Sequence, residues 1–295
     1  MEWKQDELNC LQALRTSEYE QFKDWNPDRL EGTCEWFLQH FHFQKWQQIS
    51  SSSLLWVSAD PGCGKSVLAK SLIDKEVKAT KSRITCYFFF KDDNEKQKSI
   101  TTALSALLHQ LFSQKQSLIQ YAMEDYAAEG NQLPQLFHKL WSILTKAASD
   151  SRAGEVVCIL DALDECEESG RYKIIDALNA FYKQAISSGR NSSQLKFLVT
   201  SRPYFDIERR FIDLTRSFPT IRLQGEKESE AIRREIDIVI KWRISKLGLE
   251  LNLNDSEQST LERELLSMTH GTYLWLKLIL EIIQDEISPM SKRLK

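Results

Sequence analysis

The 295-residue sequence predicts an α/β fold, a parallel sheet flanked by helices and followed by a small helical domain. Three observations predict it. Five short β-rich runs, at 54–58, 84–90, 156–160, 196–200 and 220–223, alternate with helical patterns, and such long crossovers join parallel neighbours. The runs are continuous apolar stretches and do not alternate, as expected of strands buried on both faces. From Glu226 onward the pattern is helical only.

Taken in order, residues 1–50 form a leader. Trp3, Trp25, Trp36, Phe37, Phe41, Phe43 and Trp46 make it too aromatic for a disordered tail. Ser50 to Ser53 is a short linker. Residues 51–225 hold the five strands, with a long helical insert from Ile100 to Ala148 broken near Gly130 and Pro134. In the helical domain, 226–295, a pattern from Ala231 to Leu247 stops at Gly248, and a second, Leu261 to Met268, stops at His270-Gly271. Trp275 to Ile283 is apolar but carries Lys277 and Glu281, and reads as a buried helix.

The first strand runs into Ala59-Asp60-Pro61-Gly62-Cys63-Gly64-Lys65-Ser66-Val67, and apolar residues at helical spacing follow. This is a phosphate-binding loop. Successive backbone N–H groups of the loop 60–67, Pro61 excepted, point at the phosphates, Lys65 reaches the β/γ-phosphates, and the Ser66 hydroxyl ligates Mg²⁺. The helix N-terminus behind the loop adds its positive dipole end. The full pattern puts glycine where this chain has Ala59, a departure of little cost if φ is negative there.

Ligands of such sheets gather at the C-terminal strand ends. The third strand ends in Asp161-Ala162-Leu163-Asp164-Glu165, which delivers a carboxylate, Asp161, for Mg²⁺. Asp164 and Glu165 can each orient or deprotonate a water attacking the γ-phosphate, and the sequence does not rank them. Glu167 and Glu168 read as a solvated acidic loop. The fourth strand ends in Thr200-Ser201-Arg202, where Arg202 either senses the γ-phosphate or pairs with a neighbouring carboxylate; both leave the same sequence.

A formal net charge of -3 offers no global cationic field for nucleic acid. No apolar run approaches the ~18 residues of a membrane span, and the N-terminus lacks a signal-peptide core. Six cysteines without a C-x-x-C pair read as buried free thiols of a reducing compartment, and a cytoplasmic protein is expected. His40, His42, His109 and His138 lack metal-ligand spacing and read as packing or surface residues.

In that order and at those separations, the three segments resemble the NACHT class of signal-transduction NTPases within the STAND group. The doubled acidic end Asp161-x-x-Asp164-Glu165 is the more specific mark. The segment from Asn26 to Leu38 is similar to what precedes the loop in fungal NOD-like receptors, so the resemblance covers about residues 10 to 285. It implies a five-stranded sheet of order 5-1-4-3-2, bound ATP or GTP with Mg²⁺, and a helical domain closing over the nucleotide. Arg29, Gly32 and Thr33 would contribute to the base pocket, although Arg29 could instead pair with Glu31 or Glu35. The function implied is a slowly hydrolysing switch in defence or programmed cell death that self-associates on activation. Effector and ligand-sensing domains normally lie in the same polypeptide, so the chain reads as an excised module or a naturally short form. A histidine of the winged-helix domain that holds diphosphate in this class is not assigned to His270. Two other readings remain open: a stand-alone P-loop NTPase or kinase, although no Arg-rich lid stands out, and a binding module that never hydrolyses.

Overall fold

The computed structural model describes residues 3–188, 194–223, 229–268 and 272–293; for 186–188, 223, 229–232 and 286–293 it describes the backbone only. The expected ends at His270 and Gly271 lie outside the described residues. Five strands, β1 (Ser53–Ala59), β2 (Arg83–Phe89), β3 (Glu155–Asp161), β4 (Leu195–Ser201) and β5 (Thr220–Leu223), form one sheet of order β2-β3-β4-β1-β5. This is the expected order, and β2/β3, β3/β4 and β1/β4 pair in parallel. Every residue of β1 and β4 is buried, which explains why the pattern shows no alternation.

The chain packs as two compact units. The first gathers residues 1–28, 40–58 and 65–222. It contains α1 (Gln5–Leu14), α2 (Tyr19–Asp24), α4 (Phe41–Gln48), α5 (Lys65–Ser71), α6 (Ile100–Gln114), α7 (Gln120–Glu129), α8 (Phe137–Ala148), α9 (Glu168–Ser188) and α10 (Phe205–Thr215). The second gathers 29–39, 59–64 and 223–295, with α3 (Glu35–Leu38), α11 (Ser229–Leu251), α12 (Asp255–Ser267) and α13 (Tyr273–Arg293). The leader of 1–50 is thus divided, residues 29–39 going with the C-terminal helices.

In the first unit, one hydrophobic cluster gathers Phe88 and Phe90 of β2 and its extension with Leu104, Leu107 and Leu111 of α6. Each such side chain contributes about 1.5–3 kcal/mol on burial. The helical insert breaks at Gly130 and Pro134 as expected, and also at Gln116–Leu118, a 3₁₀ turn that no glycine or proline announces. At the N-terminal end of the sheet, the buried Lys196 donates to Glu155 Oε1 (2.6 Å) and to the Gln47 carbonyl (3.0 Å), and Arg83 pairs with the same carboxylate. Burial alone would raise the Glu155 pKa, but the hydrogen bonds from Lys196 and Arg83 outweigh it and hold it below the usual 4.5.

In the second unit, Ile236, Ile240 and Ile244 line one face of α11 at helical spacing and pack with Leu265 and Leu276. Two expectations are corrected here. Helix α11 does not end at Gly248 but runs to Leu251, with Asn252 left-handed at φ +55°. A Cβ at Gly248 would sit 2.4 Å from the flexible end of the Gln258 side chain of α12, which would have to shift. Nor is α13 a buried helix. Leu276 is buried, whereas Leu274, Leu278 and Ile282 are 45, 50 and 60 % exposed, a stripe one turn apart with no cover among the described residues. None of the six cysteines is in a disulfide, and Cys63, expected to be buried, is half-exposed because it lies in the loop after β1. No helix of the described residues is long and apolar enough to cross a membrane.

Candidate functional site

Parallel pairing sets the C-terminal ends of β2, β3, β4 and β1 side by side: Phe89 lies opposite Asp161, Leu160 opposite Val199, and Val57 opposite Thr200. Asp161 is 1 % exposed. Its Oδ2 accepts from Ser66 Oγ at 2.6 Å and its Oδ1 from Thr200 Oγ1 at 2.7 Å. Burial raises its pKa, and the two hydroxyls, with Lys91 and Lys65 at longer range, oppose the rise. The P-loop serine and the carboxylate at the end of β3 are therefore hydrogen-bonded partners.

Directly after Asp161 the backbone turns through Ala162, left-handed at φ 56°, ψ 50°, into a 3₁₀ turn over Leu163–Glu165. For a residue with a Cβ that conformation costs roughly 1–2 kcal/mol. Thr200 Oγ1 accepts from the Ala162 N–H at 2.8 Å, so one buried hydroxyl fixes both the carboxylate and the turn after it.

The turn sends its two acids to different surroundings. Asp164 accepts from the Arg202 N–H (2.9 Å) and pairs with Arg202 Nε (3.1 Å), so both of its oxygens are engaged and its side chain is buried. Arg202 also reaches the Tyr204 hydroxyl at 3.1 Å. Glu165 is held more loosely, with Lys91 Nζ 3.9 Å from Oε2 and Arg202 Nη2 3.9 Å from Oε1. Burial raises its pKa, Lys91 opposes, and Asp164, Asp92 and Asp161 add to the rise.

Within the second unit, the loop Asp60–Gly64 carries Gly62 at φ +76° and Gly64 at φ +77°, both in the left-handed region that glycine tolerates. Ala59 is not left-handed, so its Cβ is harmless, as the sequence required. The Tyr273 N–H at the start of α13 donates to the Gly62 carbonyl (3.0 Å), and a Cβ on Gly64 would meet the Tyr273 ring at 3.3 Å. The Tyr273 hydroxyl donates to Glu235 Oε2 (3.0 Å), and Glu235 Oε1 accepts from the Glu35 N–H (3.2 Å); burial raises the Glu235 pKa. Arg29 donates to the Thr33 carbonyl and pairs with Glu35 at 3.1 Å, while Thr33 Oγ1 donates to the Leu30 carbonyl. Gly32 has φ +82°.

Of the residues expected at the site, Ser66, Asp161, Asp164, Glu165 and Arg202 come together in the first unit, with Lys65 and Val67 on α5. Asp60, Pro61, Gly62, Cys63 and Gly64 form the loop in the second unit, where Arg29, Gly32 and Thr33 also lie. Thr200, Lys91, Glu235 and Tyr273 were missed. Thr200 and Lys91 follow from the strand-end rule applied to every polar residue, whereas Glu235, inside an apolar helical pattern, and Tyr273 carried no signal. Among the described residues no group of three or more His, Cys, Asp or Glu is arranged to hold a metal alone. A Mg²⁺ site would therefore rest on Ser66 and Asp161 with waters and phosphate, the ordinary habit of that ion.

Residues 32–202 match the family described as Nephrocystin 3, N-terminal. The chain belongs to the nephrocystin 3, N-terminal family. Residues 232–288 of this family member also match a domain of unknown function, DUF7069. A curated relative is vegetative incompatibility protein HET-E-1 of Podospora anserina, 28% identical over 253 residues, which are 85% of this chain and 18% of the relative. The chain thus spans under a fifth of the relative's length. Among solved structures, that of the Aeropyrum pernix ORC2 protein in its ADPNP-ADP complexes aligns with a TM-score of 0.44 at 14% identity, over 75% of this chain and 53% of that one. The family match, the relative and the sheet order together support the resemblance of this nephrocystin 3, N-terminal member to NACHT-like NTPases.

Proposed function

We propose that this module binds a nucleoside triphosphate with Mg²⁺, hydrolyses it slowly, and uses the bound state as a conformational signal in an intracellular NOD-like receptor pathway of defence or programmed cell death. The observation that carries the reading is the buried Asp161 carboxylate hydrogen-bonded to Ser66 of the P-loop. A carboxylate so buried, held by hydroxyl donors, suits a divalent ion that arrives with its ligand.

In this reading Ser66 and Asp161 hold Mg²⁺, which when bound neutralises charge on the phosphates. The loop 60–64, Pro61 excepted, offers backbone N–H groups to the phosphates, and Lys65 adds its charge. Glu165 orients the attacking water and takes its proton, for its oxygens are only loosely paired and burial raises its pKa toward the working range. Asp164, with both oxygens on Arg202, holds the end of β4 instead. Arg202 would exchange Asp164 for the γ-phosphate when triphosphate is present, and so report it. ATP is the favoured nucleotide, with GTP the alternative, and self-association on triphosphate binding is the proposed output.

Nucleotide extracted from the purified protein and separated by chromatography identifies the ligand. Fluorescent-nucleotide titration with and without Mg²⁺ then tests the site: Asp161→Asn should weaken the Mg²⁺ dependence of binding, and a silent Asp161→Asn would overturn the reading. Light scattering with diphosphate, triphosphate and a non-hydrolysable analogue tests the output. A monomer in all three would show binding without assembly.

A further inference from the structure

The 91–97 segment after β2 is tied down more firmly than a surface loop requires. Phe90 N–H donates to the Asp161 carbonyl (3.0 Å), continuing the β2/β3 ladder one step past the strand. Gln97 is fully buried; its Nε2 donates to the Phe89 carbonyl (2.8 Å), and its carbonyl accepts from the Lys91 N–H (3.2 Å). Asn94 caps the turn from inside, its carbonyl and Oδ1 both accepting from the Gln97 N–H. One residue on, the Lys98 carbonyl accepts from the Glu167 N–H (2.9 Å), which ties the segment to the stretch that carries Glu165. The residue these bonds place at the strand end is Lys91.

We propose that Lys91 is a positioning residue for hydrolysis, acting through Glu165. Lys91 and Arg202 bracket the Glu165 carboxylate at equal distance, one cation to each oxygen. The acids Asp161, Asp164 and Asp92 face the same group. When Arg202 turns to a γ-phosphate, Lys91 is the cation left to hold Glu165 in place and charged among them. A lysine on a mobile loop would do this poorly, and the bonds made by Gln97 and Asn94 hold the Lys91 backbone at the strand end, within reach of Glu165. Arginine should substitute for lysine here because the demand is a cation within reach, not a particular fork of donors.

This inference rests on the NTPase reading above, and the experiment separates the two. Single-turnover and steady-state hydrolysis of MgATP are measured for the parent and for Lys65→Ala, Lys91→Met, Lys91→Arg, Glu165→Gln and the Lys91→Met/Glu165→Gln double variant. Hydrolysis that survives Lys65→Ala overturns the site reading itself. With that control lost as expected, Lys91→Met should lower kcat about tenfold with KM within twofold, Lys91→Arg should restore most of it, and Lys91→Met should add nothing in the Glu165→Gln background. Parental kcat in Lys91→Met, a loss confined to KM, no rescue by arginine, or full additivity with Glu165→Gln would each overturn the role of Lys91. Circular dichroism of Lys91→Met must match the parent; where it does not, Lys91→Gln takes its place in the same cycle.

Discussion

Thr200 is where fold and site share one atom, and replacing it by valine isolates that atom. The side chain is fully buried, and valine keeps its branched shape while removing the hydroxyl. Two hydrogen bonds go: the donor to Asp161 Oδ1 and the acceptor of the Ala162 N–H. Leaving a buried N–H unpaired costs about 1–3 kcal/mol, and losing a donor to a charged acceptor about 1.5–3 kcal/mol more. The added methyl returns about 0.8 kcal/mol. Because the two losses share one network they will not sum fully, and a net destabilisation of about 3 kcal/mol is expected. Thr200→Ser keeps the hydroxyl, loses one methyl and should cost only about 1 kcal/mol. Urea unfolding followed by tryptophan fluorescence reads the difference, since Trp56 stacks on Phe211 at 4.6 Å and donates to Ser201 beside the mutated residue. A valine variant as stable as the serine variant would refute the reasoning, because it would mean the hydroxyl is not what holds the left-handed turn at Ala162.

Three further outcomes are expected. Lys65→Ala should weaken triphosphate binding by about 2–4 kcal/mol without unfolding the protein, as seen by nucleotide titration and circular dichroism. Gly62→Ala forces a Cβ to within 2.7 Å of Leu274 at a left-handed φ, so its thermal midpoint should fall, with the conformation alone costing about 1–2 kcal/mol. Glu155 has a folded pKa below its ordinary 4.5, so its contribution to stability is present above that value and lost as pH falls through the folded pKa. Glu155→Gln should therefore destabilise at neutral pH and converge on the parent in acid; a constant gap between their urea midpoints from pH 7 to pH 3 would contradict the ion-pair account.

The sheet was legible because its strands are buried on both faces: uninterrupted apolar runs such as Leu54 to Val57 have no other stable use in a chain with these crossovers. Its order came from the family resemblance, since strand pairing is a property of crossovers and leaves no local trace. What misled were single residues standing for long-range contacts. Gly248 read as a helix stop but lies inside α11, beside the Gln258 side chain, and the apolar α13 read as buried although one face lacks cover among the described residues. The division of the leader was equally invisible. Glu35 joins the second unit through a carboxylate two hundred residues away, and nothing near Glu35 in sequence reports it.

At the candidate site, the polar residues at the strand ends were legible and the difference in their surroundings was not. Asp164 and Glu165 are adjacent, equally acidic and preceded by the same strand, so sequence gives no reason to prefer either. Their difference arises from Ala162, whose left-handed backbone aims one carboxylate at the backbone and side chain of Arg202 and the other between two cations at 3.9 Å. That conformation is held by Thr200 from the neighbouring strand, which lies beside Asp161 only because β3 and β4 pair in parallel. The proposed choice between structural and chemical acid would therefore be made by the sheet. A variant that loosens the β3–β4 edge, such as Thr200→Val, should blur it, and Asp164→Asn and Glu165→Gln should then differ less in their effects on hydrolysis than they do in the parent.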